Sequence, residues 1–117
     1  MNDLVTDLSY LLRKIDKAID TLAKNGQQAA KAEMEYRIAL AQEILILRDK
    51  GQPVTIIGDL ARGNSKIASL KFNRDTSQAV YEANLEAIQS WKLQARLMDS
   101  QIAREWGRKG EQRYERD

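Results

Sequence analysis

The chain has 117 residues with neither cysteine nor histidine, and its 19 basic and 17 acidic side chains leave a formal net charge of +2. These totals exclude a disulfide framework and thiolate chemistry, and they remove the commonest general base and metal ligand. The even balance of charge does not favour non-specific binding to duplex DNA. A hydrophobic content of 43% with one proline and six glycines predicts a single helix-rich domain with few turns.

The sequence pattern contains neither a membrane segment nor a secretion signal. No apolar run is longer than residues 44–47, which is far shorter than the roughly 20 residues that a membrane-spanning helix needs. The first residues are acidic rather than basic and lack the apolar core of a signal peptide. We therefore expect no membrane association and a cytoplasmic location, with which the absence of cysteine agrees.

The first arm is predicted at residues 3–50, because apolar residues recur there at alternating spacings of four and three. This spacing is the heptad seam with which one helix packs along another. Leu12 and Ile19 widen the seam to one side. The members of the seam in the first half of the arm are Leu4, Leu8, Leu11, Ile15, Ala18 and Leu22.

Asn25 and Gly26 leave two interpretations of this arm open, since Asn-Gly is a turn signal and glycine often ends a helix. In the first interpretation the chain forms separate helices over residues 1–24 and 27–50. In the second, one long helix continues, and Gly26 costs about 1 kcal/mol relative to alanine. Two arms of similar length favour the continuous helix.

An elbow is predicted at residues 51–63, where Gly51 can end the first helix and Pro53 prevents its continuation. The last turn before the elbow, residues 44–47, is apolar on every side, which predicts that it is covered on every side. We expect the apolar residues of the elbow to form a plug over the closed end of a hairpin. These residues are Val54, Ile56, Ile57 and Leu60.

The second arm is predicted at residues 64–106, with Asn64 or Ser65 as its N-cap and a polar, flexible tail at residues 107–117. Its seam has the longest sustained period in the chain, with Arg74 as a polar interruption. A second row beside the seam predicts that a second surface is buried as well. The seam consists of Ile67, Leu70, Tyr81, Leu85, Ile88, Trp91, Ala95, Met98 and Ile102, and the second row of Ala79, Ala83, Ala87, Leu93 and Leu97.

These elements together predict an all-α fold. Residues 1–106 are expected to form one domain, a long antiparallel helical hairpin of the coiled-coil type with a short apolar elbow. A two-helix hairpin has little interior, and a chain of this size gains much from doubling its core. We therefore expect a homo-oligomer, with a dimer favoured, that completes a helical bundle.

No group of residues in the sequence predicts catalysis, and we expect no catalytic residue, cofactor or metal ion. Glu82 and Glu86 lie one helical turn apart, but di-metal helical bundles build their sites from glutamates together with histidines. The glycines at positions 58 and 63 lack the Gly-Lys-Ser/Thr step of a phosphate-binding loop. A solvated helix face and the ends of helices explain these two features.

A ladder of basic residues at intervals of four, with one gap, is the strongest candidate for a contact surface. Such a ladder can touch a phosphate backbone or an acidic protein. Asp99 and Glu105 dilute its charge, so ordinary solubilising charge is the competing interpretation. Trp106 can anchor a protein partner, because aromatic residues dominate interface hot spots, or it can pack at the end of the arm. The ladder consists of Lys92, Arg96, Arg104 and Arg108.

Two stretches of the sequence carry a family resemblance. The first runs Glu-Tyr-Arg-Ile-Ala-Leu-Ala at 35–41 into Leu-Arg-Asp-Lys-Gly-Gln-Pro-Val-Thr at 47–55, and the second ends Gln-Ile-Ala-Arg-Glu-Trp-Gly at 101–107. Over about residues 30–107 the chain resembles small uncharacterised proteins encoded by phages and prophages of Gram-positive bacteria. The resemblance implies a bacterial host cytoplasm and a setting among replication and recombination genes, and it carries over no catalytic residues.

Two hypotheses of function follow. In the first, the chain is a non-enzymatic, phage-encoded helical interaction or assembly protein whose protein partner the sequence does not name. In the second, it is an accessory nucleic-acid-binding protein in phage replication or recombination, which uses the basic ladder and the basic tail. The balanced charge of the chain favours the first hypothesis.

Overall fold

The computed structural model describes the backbone of residues 2–116 and the side chains of residues 3–108. Three α-helices follow one another: α1 at Asn2–Asp49, α2 at Val54–Gly63 and α3 at Ser65–Arg116. No strand occurs among the described residues, and α1 and α3 run antiparallel, so the predicted all-α helical hairpin is confirmed. None of the helices in this part of the chain has an apolar segment long enough to span a membrane.

Gly26 lies inside α1, so the interpretation of one continuous helix is confirmed and that of two separate helices is wrong. The facing helix explains a glycine at this point, because a Cβ atom on residue 26 would lie 3.3 Å from Cε2 of Tyr81. That separation is tighter than an ordinary van der Waals contact. Packing of the Tyr81 ring against the bare backbone therefore offsets part of the roughly 1 kcal/mol that glycine costs in a helix.

The end of α1 is a Schellman motif. Gly51 adopts a φ of 80°, which a residue with a side chain rarely adopts. Its N–H donates to the carbonyl of Arg48 at 3.0 Å, and the N–H of Gln52 donates to that of Leu47 at 3.2 Å. Pro53 then precedes α2 with extended backbone. The predicted roles of Gly51 and Pro53 in ending the first helix are confirmed.

The predicted elbow is mostly helical, because α2 occupies ten of its residues. Ile57 and Ala61 are buried there. The prediction of an apolar plug is right for Ile57 and wrong for the other members, because so short a helix buries only one stripe of side chains. The exposed members are Val54, Ile56 and Leu60.

The last turns of α1 are covered on one side only. Ile44 and Leu47 are half-buried, whereas Leu45 and Ile46 are exposed. The prediction that residues 44–47 are covered on every side is therefore wrong. An α-helix with neighbours on one side leaves its opposite side to the solvent, whatever residues stand there.

Asn64 is the N-cap of α3, as predicted. Its Oδ1 accepts hydrogen bonds from the backbone N–H groups of Lys66 at 2.9 Å and Ile67 at 3.4 Å. These two groups have no carbonyl partner within the helix, so the cap satisfies donors that the first turn leaves open. Ser65, the alternative candidate, is the first residue of α3.

The second long helix extends further than its apolar period. The second arm was predicted to end at residue 106, whereas α3 continues to Arg116. The prediction of a polar, flexible tail at 107–117 stays a prediction. Arginine, lysine, glutamate and glutamine are strong helix formers, no proline intervenes, and the two glycines cost only about 1 kcal/mol each. Asp117 lies outside the described residues.

The chain divides into two compact units that both draw on α1 and α3. Unit 1 comprises Met1–Leu22 and Asn84–Asp117, and unit 2 comprises Ala23–Ala83. The prediction of one domain over residues 1–106 stays a prediction. Each unit has its own buried side chains, and these differ in kind.

The core of unit 1 is aliphatic. Leu11 and Ile15 of α1 form a buried cluster with Ile88 of α3. Beside the cluster, the side-chain amide of Asn84 donates to the carbonyl of Ala18 at 3.4 Å. The partly buried residues around the cluster are members of the two predicted seams: Ala18, Leu22, Trp91, Ala95 and Met98.

The buried side chains of unit 2 are mainly small or aromatic. On α1 the buried residues are two alanines and one tyrosine, and short side chains let a neighbouring helix approach closely. The α2 and α3 helices add one isoleucine each and a further alanine. These buried residues are Ala29, Ala32, Tyr36, Ile57, Ala61 and Ile67.

Candidate functional site

The predicted basic ladder lies on α3 in unit 1, and all four of its side chains are exposed. An α-helix turns by about 100° per residue, so each four-residue step moves about 40° around the axis. From the first member to the last the ladder therefore turns by about 160°. The structure brings these side chains to the surface but spreads them around α3 instead of gathering them on one face. They are Lys92, Arg96, Arg104 and Arg108.

Trp106 is exposed and does not join the ladder. It stands two residues from both Arg104 and Arg108, which places it about 160° around the helix from each of them. Ile102, one turn earlier, is half-buried and lies on the same side of α3 as Trp106. The structure therefore separates the predicted aromatic anchor from the predicted basic contacts.

Trp91 belongs to the seam of unit 1, where it is half-buried. The Nζ of Lys14 lies 4.3 Å from the centroid of its ring, within the range of a cation–π contact. Such a contact at a partly exposed site contributes about 0.5–1 kcal/mol. Trp91 is therefore a structural residue that joins α1 to α3, as its seam position predicted.

Unit 2 contains a polar cluster around Arg74 that the sequence pattern did not predict. Nε of Arg74 lies 3.5 Å from Oε2 of Glu33, and its guanidinium carbon lies 4.4 Å from the ring centroid of buried Tyr36. Nη2 of Arg74 also lies 2.9 Å from Oδ1 of Asp75. The hydrogen bond to Asp75 raises the pKa of Arg74 against the opposing effect of burial, and the negative charge of Glu33 adds to the rise. Glu33 pairs with Arg37 as well.

An open groove of about 510 Å³ lies beside this cluster. Its lining includes Glu33 and Asp75, whose carboxylates face the guanidinium of Arg74. A cation that already serves two carboxylates is poorly placed to bind a further anion. The cluster instead joins α1 to α3 at one level, and we expect it to favour one register of the two helices in unit 2. The signal for this cluster in the sequence was Arg74, a basic residue within the seam of the second arm, together with the acidic Glu33 in the first arm.

Unit 2 carries an exposed apolar stripe, called here the α1 outer stripe. Its members recur at spacings of four, three and four, which is again a heptad pattern. They lie about half a turn around α1 from the buried alanines and Tyr36, so they face away from that core. The α1 outer stripe consists of Met34, Ile38, Ala41 and Leu45.

Unit 1 carries a different apolar feature, called here the outer row. Its three members stand seven residues apart on α1, and each is a little less than half exposed. They lie about 80° around the helix from the α1 seam, so they flank that seam on one side. Two of them, Leu12 and Ile19, are the residues predicted to widen the seam. The outer row consists of Val5, Leu12 and Ile19.

The second row predicted on α3 is not covered within the chain. Ala79 and Ala83 are exposed in unit 2, Ala87 is half-buried in unit 1, and Leu93 and Leu97 of unit 1 are exposed. The prediction that this row belongs to a buried surface stays a prediction, since only a second chain can bury it.

Among the described residues, no group of three or more acidic residues is placed to hold a metal ion. The candidate site is therefore a set of surfaces: the basic ladder, the α1 outer stripe, the outer row and the uncovered row of α3. Comparison of the chain with protein-family models, with curated proteins and with solved structures finds no match in any of the three.

Proposed function

We propose that this protein is a non-enzymatic helical interaction protein that acts as a homo-oligomer, with a dimer as its smallest assembly. The observation that carries the proposal is the exposure of apolar side chains at helix-packing positions: Leu12 is 48% exposed in unit 1, and Ile38 is 51% exposed in unit 2.

The chemical character of the surface supports the same proposal. The α1 outer stripe and the outer row are both apolar, and both have the spacing with which helices pack along one another. Monomeric soluble proteins rarely expose large contiguous apolar patches. Removing such side chains from water contributes about 25 cal/mol per Å² of apolar area, which favours association.

Size-exclusion chromatography with light scattering tests this proposal between about 1 and 100 μM, a range in which obligate dimers stay associated. The expected result is a mass of at least twice 13.4 kDa across the range. Circular dichroism of the same samples controls for folding, because the chain should be almost entirely helical. A well-folded species with the mass of one chain at 100 μM would contradict the proposal.

A phage origin and a bacterial host cytoplasm also belong to the proposal. The resemblance over about residues 30–107 supports them, and no match to a known protein adds to it. Affinity capture of a tagged chain from lysogenic cells of a Gram-positive host tests this part. We expect untagged copies and at least one further phage-encoded protein in the eluate. Recovery of the tagged chain alone would contradict it.

A second candidate function is accessory nucleic-acid binding, which the exposure of Lys92, Arg96, Arg104 and Arg108 favours. Fluorescence anisotropy with labelled single-stranded and duplex DNA at about 50 and 200 mM salt tests it, because phosphate contacts release counterions. The expected result is affinity that falls with salt and falls again in the double variant Lys92→Ala, Arg96→Ala. A matched control removes two exposed bases of unit 2, Arg48→Ala and Lys50→Ala. Equal losses in both variants would remove this function.

A further inference from the structure

We infer that Asn25 is a latent deamidation site, that α1 suppresses its reaction, and that the product breaks α1 at this point. The site is the Asn25–Gly26 pair, the turn signal that the continuous helix overrides. Both residues are half-buried in unit 2, close to the first residue of that unit. The reaction takes place within one chain, so it does not depend on the proposed self-association.

The reaction joins the backbone of residue 26 to the side chain of residue 25. The backbone nitrogen of Gly26 loses its proton to the solvent and attacks Cγ, the side-chain amide carbon of Asn25. The new C–N bond closes a succinimide ring, and the side-chain nitrogen takes up a proton and leaves as ammonia. Water then opens the ring at either carbonyl, which gives aspartate or isoaspartate at position 25. Glycine favours the attack, because no side chain hinders the approach of its nitrogen.

The helix opposes this reaction in two ways. The N–H of Gly26 lies in the backbone ladder of α1, where it donates to the carbonyl four residues earlier, so its proton is held. Ring closure also requires the Gly26 nitrogen to rotate towards the Asn25 side chain about the Cα–C bond, which the helical ψ of about −42° does not allow. Deamidation therefore waits for local opening of α1. Its rate is the rate in the open chain multiplied by the fraction of chains that are open.

Tyr81 of α3 covers the reactive pair. A Cβ atom on residue 26 would lie 3.3 Å from Cε2 and 3.7 Å from Cδ2 of the Tyr81 ring, so the ring packs on the backbone of Gly26. Opening of α1 at this level loses the contact and exposes more of the half-buried ring. Glycine weakens a helix relative to alanine, so contact with α3 contributes to keeping α1 closed here. Tyr81 is therefore a positioning residue that slows the deamidation of Asn25.

The two products have different effects on α1. Aspartate leaves the backbone unchanged, and its helix propensity is close to that of asparagine. Isoaspartate carries the chain through its side-chain methylene, which adds one carbon to the backbone and disrupts the i→i−4 ladder around position 25. The isoaspartyl chain then has separate helices before and after this position, the arrangement that the intact chain does not adopt. Gly26 also moves from its place beneath Tyr81.

The experiment follows Asn25 in the full chain by peptide mass spectrometry, which separates the aspartyl and isoaspartyl products, during incubation in mildly alkaline buffer. We expect deamidation to be at least about tenfold slower in the native chain than in guanidinium chloride, because a folded helix is open only rarely. Equal rates in the two conditions would overturn the protection by α1. An Asn25 that stays intact in guanidinium chloride would overturn the site itself.

Tyr81→Ala tests the contact from α3, with Phe72→Ala as its matched control. Phe72 is an aromatic residue of the same helix and the same unit, but it is 74% exposed. In native buffer we expect Tyr81→Ala to deamidate at least about threefold faster than the wild type and Phe72→Ala at the wild-type rate. Tyr81→Leu keeps part of the packing, which guards against a variant that fails to fold, and its rate should lie between these two. Equal native rates in all the variants would overturn the role of Tyr81.

Circular dichroism tests the effect of the product on α1. Asn25→Asp reproduces the aspartyl product, and its helical signal should equal that of the wild type. Chains that are aged in guanidinium chloride and then refolded contain both products. We expect their helical signal to fall with the fraction of isoaspartate and not with total deamidation. Isoaspartyl chains as helical as Asn25→Asp would overturn the break in α1.

Discussion

The two units of this hairpin bury different side chains between the same two long helices. Unit 1 uses Leu11, Ile15 and Ile88, which are large and aliphatic, and its polar side chains stay at the edge. Unit 2 uses three alanines and one tyrosine beside two isoleucines, and it places the charge of Arg74 between the helices against Glu33. A continuous heptad period therefore does not imply a uniform interior.

The difference shows that stability and the choice of helix register can depend on different side chains along one pair of helices. Aliphatic side chains contribute transfer free energy in any register that keeps them buried. A charge pair at one level is satisfied in one register only, so it selects that register while adding little stability. We expect the buried apolar side chains of both units to contribute most of the stability, and the contact of Arg74 with Glu33 in unit 2 to favour one alignment of the helices.

The largest effect is expected from Ile88→Ala, which breaks the aliphatic cluster of unit 1. Ile88 is buried, and truncating such a residue costs about 2–5 kcal/mol through lost transfer free energy and the cavity left behind. Urea unfolding at a fixed protein concentration measures the loss, and amide exchange should rise first in residues 1–22 and 84–117. The control is Val80→Ala at an exposed position outside the named apolar surfaces, for which we expect less than about 1 kcal/mol. Equal losses would contradict the assignment of Ile88 to a core.

The next effect in size is expected from Gly26→Val, which disturbs the close packing in unit 2. Its side chain meets the Tyr81 ring, which already lies 3.3 Å from the place of a Cβ atom. Overpacking of this kind costs about 1–3 kcal/mol. Thermal unfolding measures it beside Ala23→Val, an exposed site on the same helix where only about 0.5 kcal/mol of helix propensity is lost. A Gly26→Val protein as stable as Ala23→Val would show that Tyr81 does not constrain this position.

A smaller effect is expected from Arg74→Ala, which tests the polar contact in unit 2. The variant loses the contact with the Tyr36 ring and the pairing with Glu33, together worth about 1–2 kcal/mol at a partly buried site. Arg74→Met keeps most of the volume and removes the charge, so it should stay within about 1 kcal/mol of the wild type. Chemical unfolding measures both. If Arg74→Met lowered the free energy of unfolding as much as Arg74→Ala does, the charge of Arg74 and not its packing would be the stabilising component.

The smallest effect is expected from Asn64→Ala, which removes the cap of α3. Loss of the hydrogen bonds to the N–H groups of Lys66 and Ile67 costs about 1 kcal/mol. Ser65→Ala is the control, because the structure places Ser65 inside the first turn. Urea unfolding should rank the two, and a larger loss in Ser65→Ala would move the cap to that residue.

Local signals were the part of the fold that sequence reasoning predicted well. Gly51 and Pro53 end the first helix, and Asn64 begins α3, because each acts through hydrogen bonds or sterics within a few residues. The end of the apolar period was a poor guide to the end of α3. The period reports burial, whereas continuation to Arg116 depends on backbone propensity.

The candidate surfaces were predicted less completely. The sequence identified Lys92, Arg96, Arg104 and Arg108 as exposed bases, but the helical turn spreads them around α3. It also treated Arg74 as a simple interruption, because its partners Glu33 and Tyr36 stand on the other helix. Contacts across a hairpin depend on how the two helices are aligned, and the sequence of one arm does not determine that alignment.

The sequence by itself determined the all-α class, the two long helices and the position of the turn between them, since periodicity, glycine, proline and capping residues act locally. The tertiary structure decided the rest. Only contact between α1 and α3 showed that Gly26 continues the helix beneath Tyr81, and only burial separated the apolar residues that face α3 from those that remain exposed. The reason is physical: a helix face becomes interior only through what packs against it, and that neighbour lies far along the chain or in a second copy.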